Sequence, residues 1–433
     1  MSDIETVLAR VAARRPRLID LSLDRVHVVL ARLGSPHKKL PPVIHVAGTN
    51  GKGSTIAFLR AALEAAGKSV HAYTSPHLVR FNERIVLGGA EISDAKLIDA
   101  LERCDGAAGD DKLTYFETTT CAAFLAFAET PADYLLLEVG LGGRLDATNV
   151  IEAPIATVVS PVALDHEHFL GNTIALVAME KAGIFRRGAP AVIGVQTPEA
   201  MAVLQARAEE TGATVFAFGQ QWSCHSEHGR LIYQDEDGLC DLAAPRLIGA
   251  HQLDNAGLAV AAIRAANLGA SDDAISKGLA AANWPARMQR LTAGPLVDLA
   301  QDLTGAAPEI WLDGGHNPHA GGAIAQALAD IEQRSPKPLV MISGMQANKD
   351  AAGYFAPFVG LASAVFAVAA RQDGVATAKE VETAANAAGL NAKACASLEE
   401  AMRLALVDKK NEPPRILLSG SLYLAGEILR DHS

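Results

Sequence analysis

The chain is poor in most features that would place it quickly. It has no Cys-x-x-Cys pair, and its five cysteines (Cys104, Cys121, Cys224, Cys240, Cys395) are scattered and odd in number. That pattern fits reduced thiols in a cytoplasmic setting better than a disulfide framework. No apolar run approaches a membrane span in length. The opening residues Met1-Ser2-Asp3-Ile4-Glu5 lack the basic-then-apolar pattern of a secretory signal. Positive charge is in deficit: 38 Lys and Arg against 49 Asp and Glu give a net charge of −11. Neither nucleic acid nor a membrane surface is therefore an expected partner, while a local basic pocket remains compatible with an anionic ligand. There is no low-complexity segment and no short repeat. One glycine is missing too. The common phosphate-loop pattern places it five residues ahead of the final Gly-Lys, and ahead of Gly51-Lys52 that position is Val46.

What stands there is a shorter variant, Gly48-Thr49-Asn50-Gly51-Lys52-Gly53-Ser54. A short apolar run ending at Ala47 precedes it, and an amphipathic run (Ile56, Leu59, Leu63, Ala66) follows. Strand, glycine-rich turn and helix aim backbone N–H groups and one lysine at a phosphate. Lys52 would neutralise phosphate charge, and the hydroxyl of Ser54 or Thr55 could face Mg²⁺.

At 433 residues the chain exceeds one ordinary core. From Val43 to Phe218, buried-strand runs (Val43–Ala47, Ser69–Tyr73, Tyr134–Val139, Ile155–Ser160, Ala191–Val195, Thr214–Phe218) alternate with helical ones. This predicts an α/β fold with a mainly parallel sheet. Trp222 to Leu247 reads as a hairpin excursion, His251 to Ala282 as a long helical region, and Leu291 to Ala307 as irregular. A second alternation, with strands at Ile310–Asp313, Leu339–Ser343, Val365–Ala369 and Ile416–Ser419, predicts a smaller doubly wound Rossmann-like domain. The expected domains are 1–292 and 293–433.

Ligands of open parallel sheets bind beyond the carboxyl ends of strands. Unusual polar residues fall there: Lys52 and Ser54, then Ser75, then Glu138, then Asp165-His166. Each has an ordinary reading. Ser75 before a proline suits a helix N-cap. Glu138 at the end of a Leu-rich strand suits a buried ion pair or a hard metal ion, the latter preferred. His166 suits a loop histidine or a metal or acid–base group. Lys181 reads as a solvated helix lysine. Asp313-Gly314-Gly315-His316-Asn317-Pro318 suits a capped turn or a site, and Arg287 an ion pair or a phosphate contact.

Together these residues resemble a family. The phosphate loop, Thr74-Ser75-Pro76-His77-Leu78, Glu138 through Asn149, Asp165-His166, Glu180 through Ile184, His251-Gln252 with Asn255, Arg287, Asp313 through Pro318 and Ser419 through Tyr423 are similar, in order, to folylpolyglutamate synthases. These are often bifunctional as dihydrofolate synthases and form a branch of the Mur ligase superfamily. The resemblance spans nearly the whole chain. It implies an N-terminal ATPase domain and a C-terminal Rossmann-like domain, with ATP and substrates between them; the need to keep a reactive acyl phosphate from water then predicts a hinge near residues 285–298. Thr49, Asn50, Gly51, Lys52, Gly53, Ser54, Asn255, Arg287 and Asp313 resemble the ATP contacts. Ser75, Glu138 and Ser54 resemble ligands of one Mg²⁺, and His166 of a second. Lys181 resembles a lysine carried as a carbamate. Lys52, His166, Lys181 and His316 take the catalytic places. Leu21, Ser22, Asp24, Arg25, Thr114, Tyr115, Phe116, Glu117, Leu145, Asp146 and Ala147 resemble pterin contacts, and His316 with Ser421 the glutamate site. One departure is Asn348-Lys349-Asp350, where many relatives carry Asp-Lys-Asp.

The implied reaction is ATP-dependent amide ligation through an acyl phosphate. Dihydropteroate or a reduced folate donates the carboxylate and L-glutamate the amine. The implied cofactors are ATP, Mg²⁺ at two sites and K⁺; the expected partners are small molecules and the expected assembly a monomer. Rival readings are a monofunctional folylpolyglutamate synthase, a muramyl-peptide-type ligase and a nucleotide-gated binding module.

Overall fold

The computed structural model describes residues 3–13, 22–109, 111, 113–306, 309–372, 374–407 and 413–431. The chain divides into two compact units: residues 1–246 with 253–282, and 247–252 with 283–433.

The first unit is built on an eight-stranded sheet. Its strands are β1 (Val43–Ala47), β2 (Val70–Tyr73), β3 (Ile85–Leu87), β4 (Ala90–Glu91), β5 (Tyr134–Glu138), β6 (Ala156–Val159), β7 (Pro190–Ile193) and β8 (Thr214–Ala217). The spatial order is β4-β3-β2-β5-β1-β6-β7-β8. From β2 to β8 all pairings are parallel, and only β3 and β4 run antiparallel at one edge. Every residue of β1 is buried, as expected for a strand covered by helices on both faces. The chain leaves β1 for one side of the sheet (β2, then β5) and then crosses to the other (β6). That places the switch point, where such sheets bind ligands, at the carboxyl end of β1.

The polar stretch after β8 forms a small three-stranded antiparallel sheet, β9 (Trp222–Glu227), β10 (Arg230–Asp235) and β11 (Gly238–Leu242), rather than a single hairpin. Trp222 stacks on Tyr233 across it at 5.9 Å. The expected long helical region is two helices, Ala250–Ala265 and Asp272–Ala281. Asn267 and Gly269 take positive φ between them, and the Ser271 side chain caps the second.

The second unit holds six strands: β12 (Gln289–Leu291), β13 (Glu309–Leu312), β14 (Leu339–Ser343), β15 (Ala362–Ala367), β16 (Ala392–Ala394) and β17 (Arg415–Ser419). Their order is β12-β13-β17-β14-β15-β16, all parallel but β12. The chain breaks between units at Ala282/Asn283 rather than at 292, because β12 pairs with β13. Leu291 to Ala307 is not irregular either: a helix spans Pro295–Thr304, with proline in its first turn and Val297, Ala300 and Thr304 buried. A single buried stripe ten residues long is easily lost among the polar residues around it. Met341, Leu417, Trp311, Tyr354 and Phe355 lie in this unit's core. Among the described residues no helix is long and apolar enough to cross a membrane.

Candidate active site

The loop after β1 is shaped by glycine. Gly48 and Gly51 have φ of +147° and +87°. A Cβ on Gly48 would lie 1.9 Å from Ser160 Oγ, and one on Gly51 would lie 2.3 Å from Asn255 Oδ1. Neither position admits a side chain. The loop is tied to the segment after β6. The Thr49 and Asn50 N–H groups donate to Pro161 O at 2.9 and 3.3 Å. Thr49 Oγ1 donates to Ala163 O and accepts from Ala163 N, and Ser160 Oγ donates to Asn50 O at 2.7 Å. The side chain of Thr49 thus serves the loop itself. Ser160, which the motif reading passed over, is signalled only by its place at the end of an apolar strand.

Two ammonium groups meet at this loop. Lys52 Nζ donates to Gly48 O at 3.0 Å and to Thr49 O at 3.2 Å. Lys181 Nζ donates to the same Gly48 O at 2.9 Å. Lys181 is 4% exposed, not the solvated helix lysine of its local sequence. Burial first, and the charge of Lys52 second, bring its pKa down to about 7; Asp165 and Asp146 oppose them. An amine with a substantial neutral fraction near pH 7 can act as a nucleophile.

On the neighbouring strand Glu138, 4% exposed, accepts the backbone N–H of Ser75 at 3.1 Å. Ser75 therefore docks against the end of β5 rather than capping a helix. His166 is exposed, has φ +54°, and its N–H donates to Asp165 Oδ1. Among the described residues no three His, Cys, Asp or Glu side chains gather as a metal cluster. Mg²⁺ in nucleotide sites takes only one or two protein carboxylates, with phosphate oxygens and water completing its shell. The buried carboxylate at the end of β5 and the buried hydroxyl of Ser54, in the first turn of the helix Lys52–Ala65 that follows the loop, fit that sparse donor set.

Beyond β5 the chain turns through Gly140 to Asn149. A Cβ on Gly140 would fall 2.3 Å from the Phe116 ring, so that ring rests on the turn. Thr114 caps the helix Tyr115–Ala128 in a capping box with Glu117. Glu117 also takes a forked bond from Arg25: Nη2 to Oε1 at 2.8 Å and Nε to Oε2 at 3.0 Å. Tyr115 meets Phe81 edge-on at 6.0 Å. The expected pterin set Arg25, Thr114, Tyr115, Phe116 and Glu117 is thus drawn together. Asp24 is exposed and bonds with Ser22; Leu21 lies outside the described residues. Asp146 is buried, and its carboxylate accepts from Leu141 N, Thr148 N and Thr148 Oγ1; burial raises its pKa against those bonds. Leu145 is half-buried and Ala147 buried.

Two residues that motif reasoning did not single out weld this turn to the helix of Lys181. Asn149 Nδ2 donates to Arg144 O and Gly183 O. Arg186 donates to the carbonyls of Gly183 and Phe185 and to Asn149 Oδ1. Part of the Gly-Arg-Leu-Asp-Ala-Thr-Asn motif is therefore scaffold.

In the second unit Asp313 follows β13. It is buried, and its carboxylate accepts Met288 N at 2.8 Å and Gly315 N at 2.7 Å. Burial raises its pKa and Arg287 lowers it. Arg287 lies between two residues with positive φ, Ala286 and Met288, and its Nη1 donates to Ala286 O. His316 Nδ1 donates to Gly314 O, so the neutral ring keeps its lone pair on Nε2. Ser421 is buried after β17, the strand beside β13, and its Oγ accepts Tyr423 N.

A parallel α/β unit with a glycine-lysine phosphate loop at its switch point, joined to a second Rossmann-like unit, is the architecture of an ATP-dependent ligase of the Mur type. Residues 46–263 match the Mur ligase middle domain, and residues 296–431 match the family described as dihydrofolate synthetase, C-terminal domain. The chain belongs to the folylpolyglutamate synthase/dihydrofolate synthase family. It is 35% identical to the dihydrofolate synthase/folylpolyglutamate synthase of Escherichia coli K12, over 95% of this chain and 92% of that one. It is 34% identical to the folylpolyglutamate synthase of Lacticaseibacillus casei, over 93% and 92%. Among solved structures it is similar to E. coli FolC in complex with DHPP and ADP, with TM-score 0.87 and 33% identity, over 99% and 97% of the two chains. The Yersinia pestis bifunctional enzyme complexed with AMPPNP and Mn ion gives TM-score 0.86 and 30% identity, over 99% and 98%.

Proposed function

We propose that this chain joins L-glutamate to dihydropteroate, and to reduced folates, with conversion of ATP to ADP and phosphate. The observation that carries the reading is the meeting of Lys52 and Lys181 on the carbonyl of Gly48, at the mouth of a loop built for phosphate. The solved relatives that hold DHPP with ADP, and AMPPNP with Mn, support it.

A carboxylate is a poor electrophile and must be activated. Its oxygen attacks the γ-phosphorus of ATP, the bond to the bridging oxygen breaks, and ADP leaves with an acyl phosphate behind. The amine of glutamate attacks the acyl carbon, the bond to the phosphate oxygen breaks, and the amine gives up a proton. Lys52 and the backbone of Thr49 to Ser54 hold the phosphates, with Asn255, Arg287 and Asp313 as further ATP contacts. Ser54, Ser75 and Glu138 hold one Mg²⁺; His166 and Lys181, the latter as a carbamate, serve a second. Bound there, Mg²⁺ supplies charge neutralisation for phosphoryl transfer. Arg25, Thr114 to Glu117 and Leu145 to Ala147 receive the pterin, and His316 with Ser421 the incoming glutamate.

The test is ADP release with L-glutamate and, in turn, dihydropteroate and tetrahydrofolate. Release with both is expected. Release with tetrahydrofolate alone would leave a monofunctional folylpolyglutamate synthase, and release with neither would overturn the proposal. Running the assay in sodium and in potassium buffer tests the K⁺ requirement. Lys52→Ala is expected to abolish release in a folded protein.

A further inference from the structure

His45 is 1% exposed, in the middle of β1, where it lies between Leu137 of β5 and Thr157 of β6. Desolvation brings its pKa down to about 3, so the ring is neutral and carries one N–H. Its Nε2 lies 2.9 Å from Thr148 Oγ1. Thr148 Oγ1 in turn donates to Asp146 Oδ1 at 2.5 Å. A hydroxyl has one hydrogen. With that hydrogen on Asp146, Thr148 can only accept from His45, which puts the ring proton on Nε2. The chain therefore runs one way: His45 Nε2–H to Thr148 Oγ1–H to Asp146, whose other oxygen takes the N–H of Leu141. Its two ends are distinct. One is the strand that runs directly into the phosphate loop at Gly48. The other is the turn on which Phe116 rests. An apolar side chain would fill the same place without desolvating an imidazole. Stability alone therefore does not account for a histidine here.

We propose that His45 is a positioning residue for the carboxylate substrate: through Thr148 it fixes the Asp146 turn relative to the strand that carries the phosphate loop. This rests on the assignment of that turn to the folate substrate. The histidine is enclosed within the sheet, and its effect passes through two buried hydrogen bonds.

The experiment compares His45→Leu, His45→Gln and Thr148→Val in the full chain. The Gln amide can place an N–H where Nε2–H stood, whereas Leu cannot. His45→Leu and Thr148→Val are expected to raise KM for dihydropteroate about tenfold, the scale of one buried hydrogen bond, with KM for ATP within about twofold; His45→Gln is expected to recover most of the loss. Equal losses in His45→Gln and His45→Leu, an equal rise in KM for ATP, or no change in any variant would overturn the proposal. Nitrogen-resolved NMR of wild-type His45 reads the geometry without any substrate: an Nε2–H neutral ring across about pH 6 to 8 is expected, and an Nδ1–H tautomer would overturn it. If wild-type protein shows no ADP release with any folate, the functional assignment fails instead, and the NMR result stands apart from it. Should His45→Leu not fold, Thr148→Val and the NMR measurement decide alone.

Discussion

Lys52 and Lys181 share one acceptor, the carbonyl oxygen of Gly48, at 3.0 and 2.9 Å. Burial first, and the neighbouring charge of Lys52 second, hold the Lys181 amine near pKa 7 rather than 10.5. A buried neutral amine beside a phosphate loop is the form that can take up CO₂.

Carbamate formation on Lys181 is therefore expected to increase with pH from about 6 to 8.5, since only the neutral amine reacts. Carbon-13 bicarbonate NMR of wild-type protein, with Lys181→Met as the blank, reads the adduct. A signal that persists in Lys181→Met would refute the assignment. The same shift has a stability consequence. Between about pH 7 and 10.5 the unfolded chain holds a proton here that the native state has lost, so this group favours folding increasingly as pH rises through that window. Below about 7 both states are protonated and the native state carries the cost of a buried ammonium. Urea unfolding of wild type and Lys181→Met as a function of pH should converge or cross accordingly.

Gly48→Ala and Gly51→Ala are expected to weaken ATP binding by at least about tenfold, because the positive φ and the close approach of Ser160 and Asn255 put the strain in the loop itself. Calorimetric titration with a non-hydrolysable ATP analogue checks it. Affinity equal to wild type in Gly48→Ala would show that the contact with Ser160 is relieved without cost.

The forked pair Arg25–Glu117 ties the helix Asp24–Arg32 to the helix Tyr115–Ala128. Arg25→Ala should raise KM for dihydropteroate by roughly tenfold or more, with KM for ATP unchanged, since it leaves a buried carboxylate at the floor of the expected pterin site. A double-mutant cycle with Glu117→Gln should show strong coupling. Additive losses would mean that the two act separately.

Far from the ligand edge, Arg415 and Glu309 open neighbouring strands β17 and β13 and pair at 2.5 Å. Burial alone would raise the Glu309 pKa, but Arg415, Trp311 and Lys337 hold it down at about 2. Arg415→Met removes the buried cation and leaves Glu309 to Lys337 and Trp311, and is expected to destabilise the chain by about 1–3 kcal/mol, read by urea unfolding, with the kinetic constants of the remaining folded enzyme unchanged. The wild-type contribution is present above the ordinary carboxylate pKa of 4.5 and is lost as pH falls toward 2. A loss of stability that does not depend on pH in that range would point to packing instead.

Much of this was legible in order along the chain. The strands that bear the site, β1, β2, β5 and β6, are short apolar runs bounded by turn residues, and the polar residues at their ends mark the ligand edge. Local sequence also indicated the phosphate loop despite Val46. The small strands β3, β4, β12 and β16 were not legible, because two or three residues carry no periodicity and form only when a neighbour offers its edge. The helix Pro295–Thr304 was hidden for a related reason: one stripe of small residues becomes apolar only against the core it meets.

The sequence by itself determined the fold class, the order of the strands that bear the site and which residue types stand at their ends, since these follow from local pattern and from spacing. Only the tertiary structure decided what those residues are. It turned Lys181 from a solvated helix lysine into a buried amine beside a second cation. It made Asn149 and Arg186 the weld behind it, and it gave His45 a directed hydrogen-bond chain to Asp146. Protonation and hydrogen-bond direction depend on desolvation and on neighbours brought from far along the chain, and neither is written in the residues that flank a site.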